Sequence, residues 1–326
     1  MLQKYSESDA DSGFFSGKRV AVLGYGSQGS SQAKNLRDSG VDVIVGNRPG
    51  KSYNTAVSDG FPVMSVQNAV MRSDILGFFL PDESAADIYT KDIAPYLKEG
   101  QCLVFAHGFN IHYKFITPPD FVDVILVAPK GVGPMVRKLF AEGSGVPSLV
   151  SVHQDHTGHA LDLAIGFAVN AIGSGHSAIL KSTFKDETET DLFGEQTVIC
   201  GGLPALISLA YETLVKAGYP PELAFSECAH EVKLVVDLVY EGGFTKMHDF
   251  ISKTASYGGI TRGDRVIGDE CRKNMEEILL EIQSGRFANE WMEEKRSGSK
   301  HYTEMVDKVK KSEIEKTGAE FRKLLR

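Results

Sequence analysis

Arg19-Val20-Ala21-Val22-Leu23 runs directly into Gly24-Tyr25-Gly26-Ser27-Gln28-Gly29 and then into a helix-compatible stretch, residues 30–39. A β-branched run, a G-x-G-x-x-G turn and a helix start are the three parts of a dinucleotide-binding βα unit. The glycines permit the tight turn and bring the backbone up to a pyrophosphate, whose charge then meets the free N–H groups of a helix N-terminus. Gly24, Tyr25, Gly26, Ser27, Gln28 and Gly29 are therefore expected to line the cofactor.

The next strand is expected at residues 41–45 and leads into Gly46-Asn47-Arg48-Pro49-Gly50-Lys51-Ser52. An NAD site would place an acid here, on the ribose hydroxyls, and there is none. Arg48, Lys51 and Ser52 offer two cations and a hydroxyl, the groups a ribose 2′-phosphate requires, so the expected cofactor is NADPH. A solvated basic loop is the plain alternative.

Further strands are expected at 75–80, 102–106, 122–128 and 149–153, with helices at 84–97 and 158–172. Strands alternating with helices indicate a doubly wound parallel sheet, whose ligands bind beyond the carboxyl ends of the strands. His107 and Lys130 stand at two such ends. A histidine there can move a proton near neutral pH, and a lysine can supply a positive charge or a donor.

From about residue 184 strand patterns give way to helix patterns, at 192–216 with a break at Gly201-Gly202 and Pro204, then at 221–240, 269–283 and from 313. The expected organisation is therefore a nucleotide-binding domain over residues 1–183 and an all-helical domain over 184–326. The second begins Phe184-Lys185-Asp186-Glu187-Thr188-Glu189-Thr190-Asp191-Leu192-Phe193-Gly194-Glu195-Gln196, with five carboxylates.

Asp191 and Glu195, four apart, share one face of a helix and repel unless a cation lies between them. Glu227 and Glu231 repeat the spacing on a helix that reads as more buried, where Glu231 shares its face with Leu234, Val235 and Leu238. Acids can simply favour a helix start, and Glu231 can pair with Lys233. Four carboxylates without a cysteine pair otherwise point to Mg²⁺ or Mn²⁺. His230 projects about 100° away from Glu231 and is left out of the ligand set.

Residues 250–259 read as a substrate-facing loop rich in small hydroxyl side chains, among them Ser252. The tail, residues 290–326, alternates charge at helical spacing and should pack on the body or on another subunit.

With 326 residues and a net charge of −8, the chain is long enough for two cored domains and carries no basic block suited to nucleic acid. Four scattered cysteines suggest reduced thiols, the N-terminus has no apolar leader, and no run is read as reaching the length of a membrane span. A soluble, cytoplasmic protein without membrane contact is expected.

Over nearly its whole length the chain resembles the ketol-acid reductoisomerases of the short class. The resemblance lies in the glycine turn, in Leu80-Pro81-Asp82-Glu83, in Phe105-Ala106-His107-Gly108-Phe109-Asn110-Ile111-His112, in Ala128-Pro129-Lys130-Gly131 and in Glu187 to Gln196. It continues through His230-Glu231, Lys233, Val236-Asp237-Leu238 and Tyr240-Glu241-Gly242-Gly243. It implies NADPH- and Mg²⁺-dependent conversion of 2-acetolactate or 2-aceto-2-hydroxybutyrate to the 2,3-dihydroxy acid, in branched-chain amino-acid biosynthesis.

It further implies two Mg²⁺ ions held by Asp191 and Glu195 of one subunit, Asp191 bridging both, and by Glu227 and Glu231 of a partner. Ser252 would hold the substrate carboxylate, His107, Lys130 and Glu195 would serve catalysis, and Asp82 and Gly133 would join the cofactor set. The helical domain would be knotted and the enzyme a homodimer or larger. The chain departs from the family pattern at Ser30-Ser31, at Gly131-Val132-Gly133-Pro134 and at Lys253-Thr254-Ala255-Ser256-Tyr257-Gly258. A metal-independent β-hydroxyacid dehydrogenase and a non-catalytic NADPH-binding protein are the competing readings.

Overall fold

Val20, Ala21, Val22 and Leu23 are fully buried because both faces of their strand are covered, which is why the run is apolar throughout instead of alternating. The strand is one of nine in a single sheet of order β1-β9-β8-β7-β6-β5-β2-β3-β4. In chain order they are β1 (Lys4–Tyr5), β2 (Arg19–Leu23), β3 (Asp42–Gly46), β4 (Val63–Met64), β5 (Ile75–Phe78), β6 (Cys102–Phe105), β7 (Asp123–Pro129), β8 (Ser148–Gln154) and β9 (Ile179–Lys181). This computed structural model describes residues 2–11, 13 and 15–325. The chain forms two units, Met1–Thr190 and Asp191–Arg326, and the division falls within the helix Phe184–Gly194.

In the first unit one apolar cluster includes Leu36, Ile125, Val127, Leu163 and Phe167, and a second includes Leu23, Leu76, Ile93, Leu103 and Leu126. Neighbouring residues of β7 thus alternate between the two clusters, one on each side of the sheet. The chain winds from β2 to β3 and β4 on one side, then returns to β5, β6 and β7 on the other. The switch point lies between β2 and β5, where a doubly wound sheet binds its ligand.

The sheet is mostly but not wholly parallel, where the sequence pattern suggested a parallel one: β8 runs antiparallel to β7, and β1 antiparallel to β9. The helix Gly133–Ala141 does not carry the chain back across the sheet before β8 begins. Lys130 N–H donates to Pro147 O at 2.8 Å, so β8 starts at the end where β7 stops.

The helix expected at 84–97 is shorter, Asp82–Ile88, and closes through a wide turn, Tyr89–Ile93, and a tight one containing Pro95.

The second unit is helical, with long elements at Gly202–Lys216, Val232–Phe250 (broken by a kink at Gly242-Gly243), Lys253–Val266 and Asp269–Gln283 and three more to Leu324. Gly201-Gly202 is a joint and not a gap: a Cβ on either would stand 1.9 or 2.0 Å from the carbonyl oxygen of Gln196 or Thr197. The segment Phe184–Lys216, 33 residues with a window of mean hydropathy 1.7, is therefore long and apolar enough to cross a membrane, contrary to the expectation above. Residues 253–266, read in part as a loop, are a helix capped by Ser252, whose hydroxyl accepts from Ala255 N–H at 3.1 Å.

Among the described residues one apolar cluster of this unit is Tyr211, Ala224 and Phe225, backed by Leu214, Ile314 and Phe321, and Leu192, Ile282, Ala288 and Met292 are buried elsewhere in it. Leu209, Leu234, Phe244, Tyr257 and Ile260 are exposed. The stripe that Glu231 shares with Leu234 is present, but the chain does not bury it, and Glu227 and Glu231 are exposed where a buried helix was expected.

Candidate active site

The glycines of the first turn divide their work. Gly24 has φ +93°, and a Cβ there would stand 2.5 Å from Phe79 O, so the turn out of β2 requires glycine and presses against the end of β5. At Gly29 a Cβ would meet Gly24 O at 2.1 Å, so this glycine allows the helix Ser27–Asp38 to close on the turn. Gly26 has nothing within 4 Å and leaves its backbone open to a ligand. The three conditions are those of a pyrophosphate cradle.

Tyr25 differs from expectation in its side chain, which is buried and donates to Asp59 Oδ2 at 2.8 Å. Burial and the neighbouring Asp59 carboxylate push its phenol above the usual tyrosine range. Asp59, for its part, also accepts from Lys34 at 2.9 Å. Burial works to raise the Asp59 carboxyl, but Lys34, Tyr25 and Arg37 outweigh it and hold the group below 3.8.

Gln28 amide donates to Gly131 O at 2.9 Å, and a Cβ on Gly133 would lie 2.2 Å from Ser27 O, so the turn after β7 packs on the glycine turn. Pro134 occupies the first turn of the helix Gly133–Ala141, where a missing N–H costs nothing. Ser31 hydroxyl donates back to Ser27 O at 2.9 Å. Arg48 and Lys51 are exposed and Ser52 half-buried, all at or just before the helix Lys51–Ser58 that follows β3.

Asp82 begins the helix after β5. Asn110 amide donates to its carbonyl oxygen at 3.2 Å and to its Oδ1 at 3.3 Å. Burial raises the Asp82 carboxyl above 3.8.

The centre of the site is a carboxylate that sequence reasoning did not single out. Glu187, 1 % exposed, accepts from Gly108 N–H at 2.9 Å and from Lys130 Nζ at 3.2 Å, and its Oε1 lies 3.2 Å from His107 Nδ1. Burial works to raise its carboxyl, but the His107 hydrogen bond and charge, Lys130 and the Gly108 N–H together hold it below 4.5. Gly108 must be glycine, since a Cβ would stand 2.3 Å from Thr188 Oγ1 and 2.8 Å from Phe184 O.

His107 and Lys130, at the ends of neighbouring strands, thus both reach Glu187. Asp191 follows Glu187 by one turn on the helix Phe184–Gly194, and Glu195 opens the wide turn Glu195–Ile199. Glu227 lies in a second wide turn, Ser226–His230, closed by Glu231 N–H donating to Ser226 O at 3.0 Å. Lys233 pairs with Asp237 and not with Glu231. Ser256 hydroxyl lies 3.0 Å from His248 Nδ1.

A pyrophosphate cradle at the switch point, with a proton-transfer and cation cluster on the adjoining strand ends, defines a nicotinamide-dinucleotide oxidoreductase. Two family models match the chain: acetohydroxy acid isomeroreductase, NADPH-binding domain, over residues 14–178, and ketol-acid reductoisomerase, C-terminal domain, over residues 184–326. It is 43% identical to an NADH-preferring ketol-acid reductoisomerase from an uncultured archaeon, over 99% of both chains, with a TM-score of 0.96.

The chain belongs to the ketol-acid reductoisomerase family. It is an NAD(P)-dependent oxidoreductase and isomerase of branched-chain amino-acid biosynthesis, joining a Mg²⁺-dependent alkyl migration to a reduction. Both competing readings are set aside.

Its fold is shared with an NAD-binding semialdehyde dehydrogenase protein from Cupriavidus necator, 18% identical over 82% of this chain and 99% of that one, TM-score 0.62. It is also shared with pyrroline carboxylate reductase from Plasmodium falciparum, 15% identical over 82% and 98%, TM-score 0.50.

Proposed function

We propose that the enzyme prefers NADPH, holds two Mg²⁺ ions and completes each active site across a homodimer or larger assembly. The observation that carries this reading is buried Glu187, which gathers His107, Gly108 N–H and Lys130 one helical turn before Asp191. Bound Mg²⁺ supplies Lewis-acid polarisation of the substrate oxygens, and bound NADPH supplies the hydride.

The chain's own residues do the rest. Asp191 and Glu195 from one subunit, with Glu227 and Glu231 from its partner, form an all-carboxylate donor set suited to a hard divalent cation. Lys130 Nζ, steadied by Glu187, presents a positive charge to oxygen that gains charge during migration. His107, whose Nδ1 faces Glu187, is oriented to move a proton at Nε2. Ser252 caps a helix whose N-terminal N–H groups favour a carboxylate, and its hydroxyl retains a proton to donate.

The uncovered apolar residues of the second unit support the partner subunit, because Leu209, Leu234, Phe244, Tyr257 and Ile260 leave large apolar side chains exposed. Arg48, Lys51 and Ser52 support NADPH, with no acid between Asn47 and Ser52 to favour NAD. The substrate is 2-acetolactate or 2-aceto-2-hydroxybutyrate, and domains of 1–183 and 184–326 are supported by the family match that begins at residue 184, although the compact units divide at Thr190 and Asp191. Four free cysteines, one of them buried, suit a reducing cytoplasm.

The test is to mix an Asp191→Asn protein with a Glu231→Gln protein under conditions that exchange subunits. Recovery of activity in the mixture is expected, because one of the two sites in each mixed dimer is intact. No recovery, with exchange demonstrated by co-purification of differently tagged subunits, would refute the shared site.

A further inference from the structure

The first unit contains a cavity of about 960 Å³ formed by the end of β8, the end of β9, residues 111–118 and the start of the helix Phe184–Gly194. Its lining includes Lys114, Lys181 and Lys185 and not one Asp or Glu, in a chain whose net charge is −8. None of the three ammonium groups has a hydrogen-bonding or ionic partner among the described residues. All three are exposed, so water screens their mutual repulsion, and together they give this concavity a positive rim with no carboxylate in its lining.

Two local features set these lysines apart. Lys114 has φ +60°, one of two non-glycine residues with positive φ among the described residues, and such backbone strain concentrates at ligand clamps. Lys185 stands in the first turn of a helix, where a cation opposes the dipole. Between the lysines the wall is mixed: Ile111, Val152 and Phe184 supply apolar surface beside His112, His153 and Gln154. We propose that this cavity is a second ligand site, for a small organic anion with an apolar body and a carboxylate head, distinct from the dinucleotide cradle.

The volume is that of a small-molecule site. The lysines would neutralise the head, and the apolar part of the wall would take the body. Phe184 and Lys185 begin the helix that carries Glu187, and Ile111 follows Gly108 and His107 by three and four residues. An occupant would therefore press on the two segments that the Glu187–Gly108 hydrogen bond joins.

The experiment is titration calorimetry of the full oligomer with octanoate, with 1-octanol as the uncharged tail and inorganic phosphate as the tail-less anion. Octanoate should bind, and the Lys181→Gln, Lys185→Gln double variant should bind it roughly a hundredfold more weakly, about tenfold for each ammonium removed. Octanol and phosphate should each bind at least about tenfold more weakly than octanoate. Unchanged thermal unfolding of the double variant excludes misfolding as the cause.

Equal octanoate affinity in the double variant, or no octanoate binding at millimolar concentration, would overturn the proposal. So would protection of Lys114, Lys181 and Lys185 from an amine-reactive reagent before any ligand is added. The cavity would then be a contact between copies of the chain.

Discussion

The Lys130 ammonium donates to Glu187 Oε1 at 3.2 Å, from a strand end to a carboxylate that is 1 % exposed. Glu187→Gln keeps the shape and removes the charge, leaving Lys130 and His107 without their common anion. We expect kcat/KM to fall about a hundredfold, the scale of a misplaced acid–base group, with the loss mainly in kcat. A change confined to KM would show that Glu187 serves binding and not the arrangement of His107 and Lys130.

Gly26 and Gly29 should separate binding from folding. Gly26→Ala meets no atom within 4 Å, so the protein should fold normally and lose dinucleotide affinity about tenfold or more. Gly29→Ala places a Cβ 2.1 Å from Gly24 O and should cost about 1–3 kcal/mol of stability. Thermal unfolding beside cofactor titration measures both, and equal destabilisation by the two would contradict this division of roles.

Arg48→Ala or Ser52→Ala should shrink the NADPH preference. One charged hydrogen bond to phosphate is worth about 1.5–3 kcal/mol, or roughly ten- to a hundredfold in the kcat/KM ratio of the two cofactors. The NADH-preferring relative, 43% identical, makes the comparison a direct one. Equal use of both cofactors by the unaltered enzyme would contradict the assignment.

The Asp59 and Tyr25 pair contributes to the pH dependence of the first unit at both its acid and its alkaline limb. Asp59 has a folded pKa below its ordinary 3.8, so its contribution is present above that value and lost as pH falls through the lower folded one. Tyr25 is raised above 10.0, so its contribution is present below pH 10.0 and lost as pH rises through the folded value. Asp59→Asn should flatten the acid limb of the stability curve, and Tyr25→Phe the alkaline limb, as chemical denaturation at each pH would record.

Much of the nucleotide-binding unit was legible because its buried strands are continuous apolar runs and its turn must be glycine. Direction was harder to read: nothing in residues 148–154 says that β8 enters from the end where β7 stops. Two-residue strands such as Lys4–Tyr5 carry no pattern. The helix Lys253–Val266 was read partly as a loop because Gly258, Gly259 and Gly263 lower its propensity, although Ser252 is a recognisable cap.

In the site, His107 and Lys130 followed from strand ends. Glu187 did not, since sequence cannot tell which of five neighbouring carboxylates faces those ends. The exposure of Glu227 and Glu231 was missed for a related reason: apolar spacing marks a face to be covered, not which chain covers it.

The most direct test is NADPH oxidation by the purified enzyme with 2-acetolactate, with Mg²⁺ and after its removal by chelation. The 3-hydroxy-2-keto isomer is the parallel substrate, because it needs reduction only. Oxidation with 2-acetolactate should occur with Mg²⁺ and vanish without it, and Asp191→Asn should lose the 2-acetolactate reaction more severely than the reduction. Undiminished turnover of 2-acetolactate without Mg²⁺, or none with it, would contradict a metal-dependent reductoisomerase built on these residues.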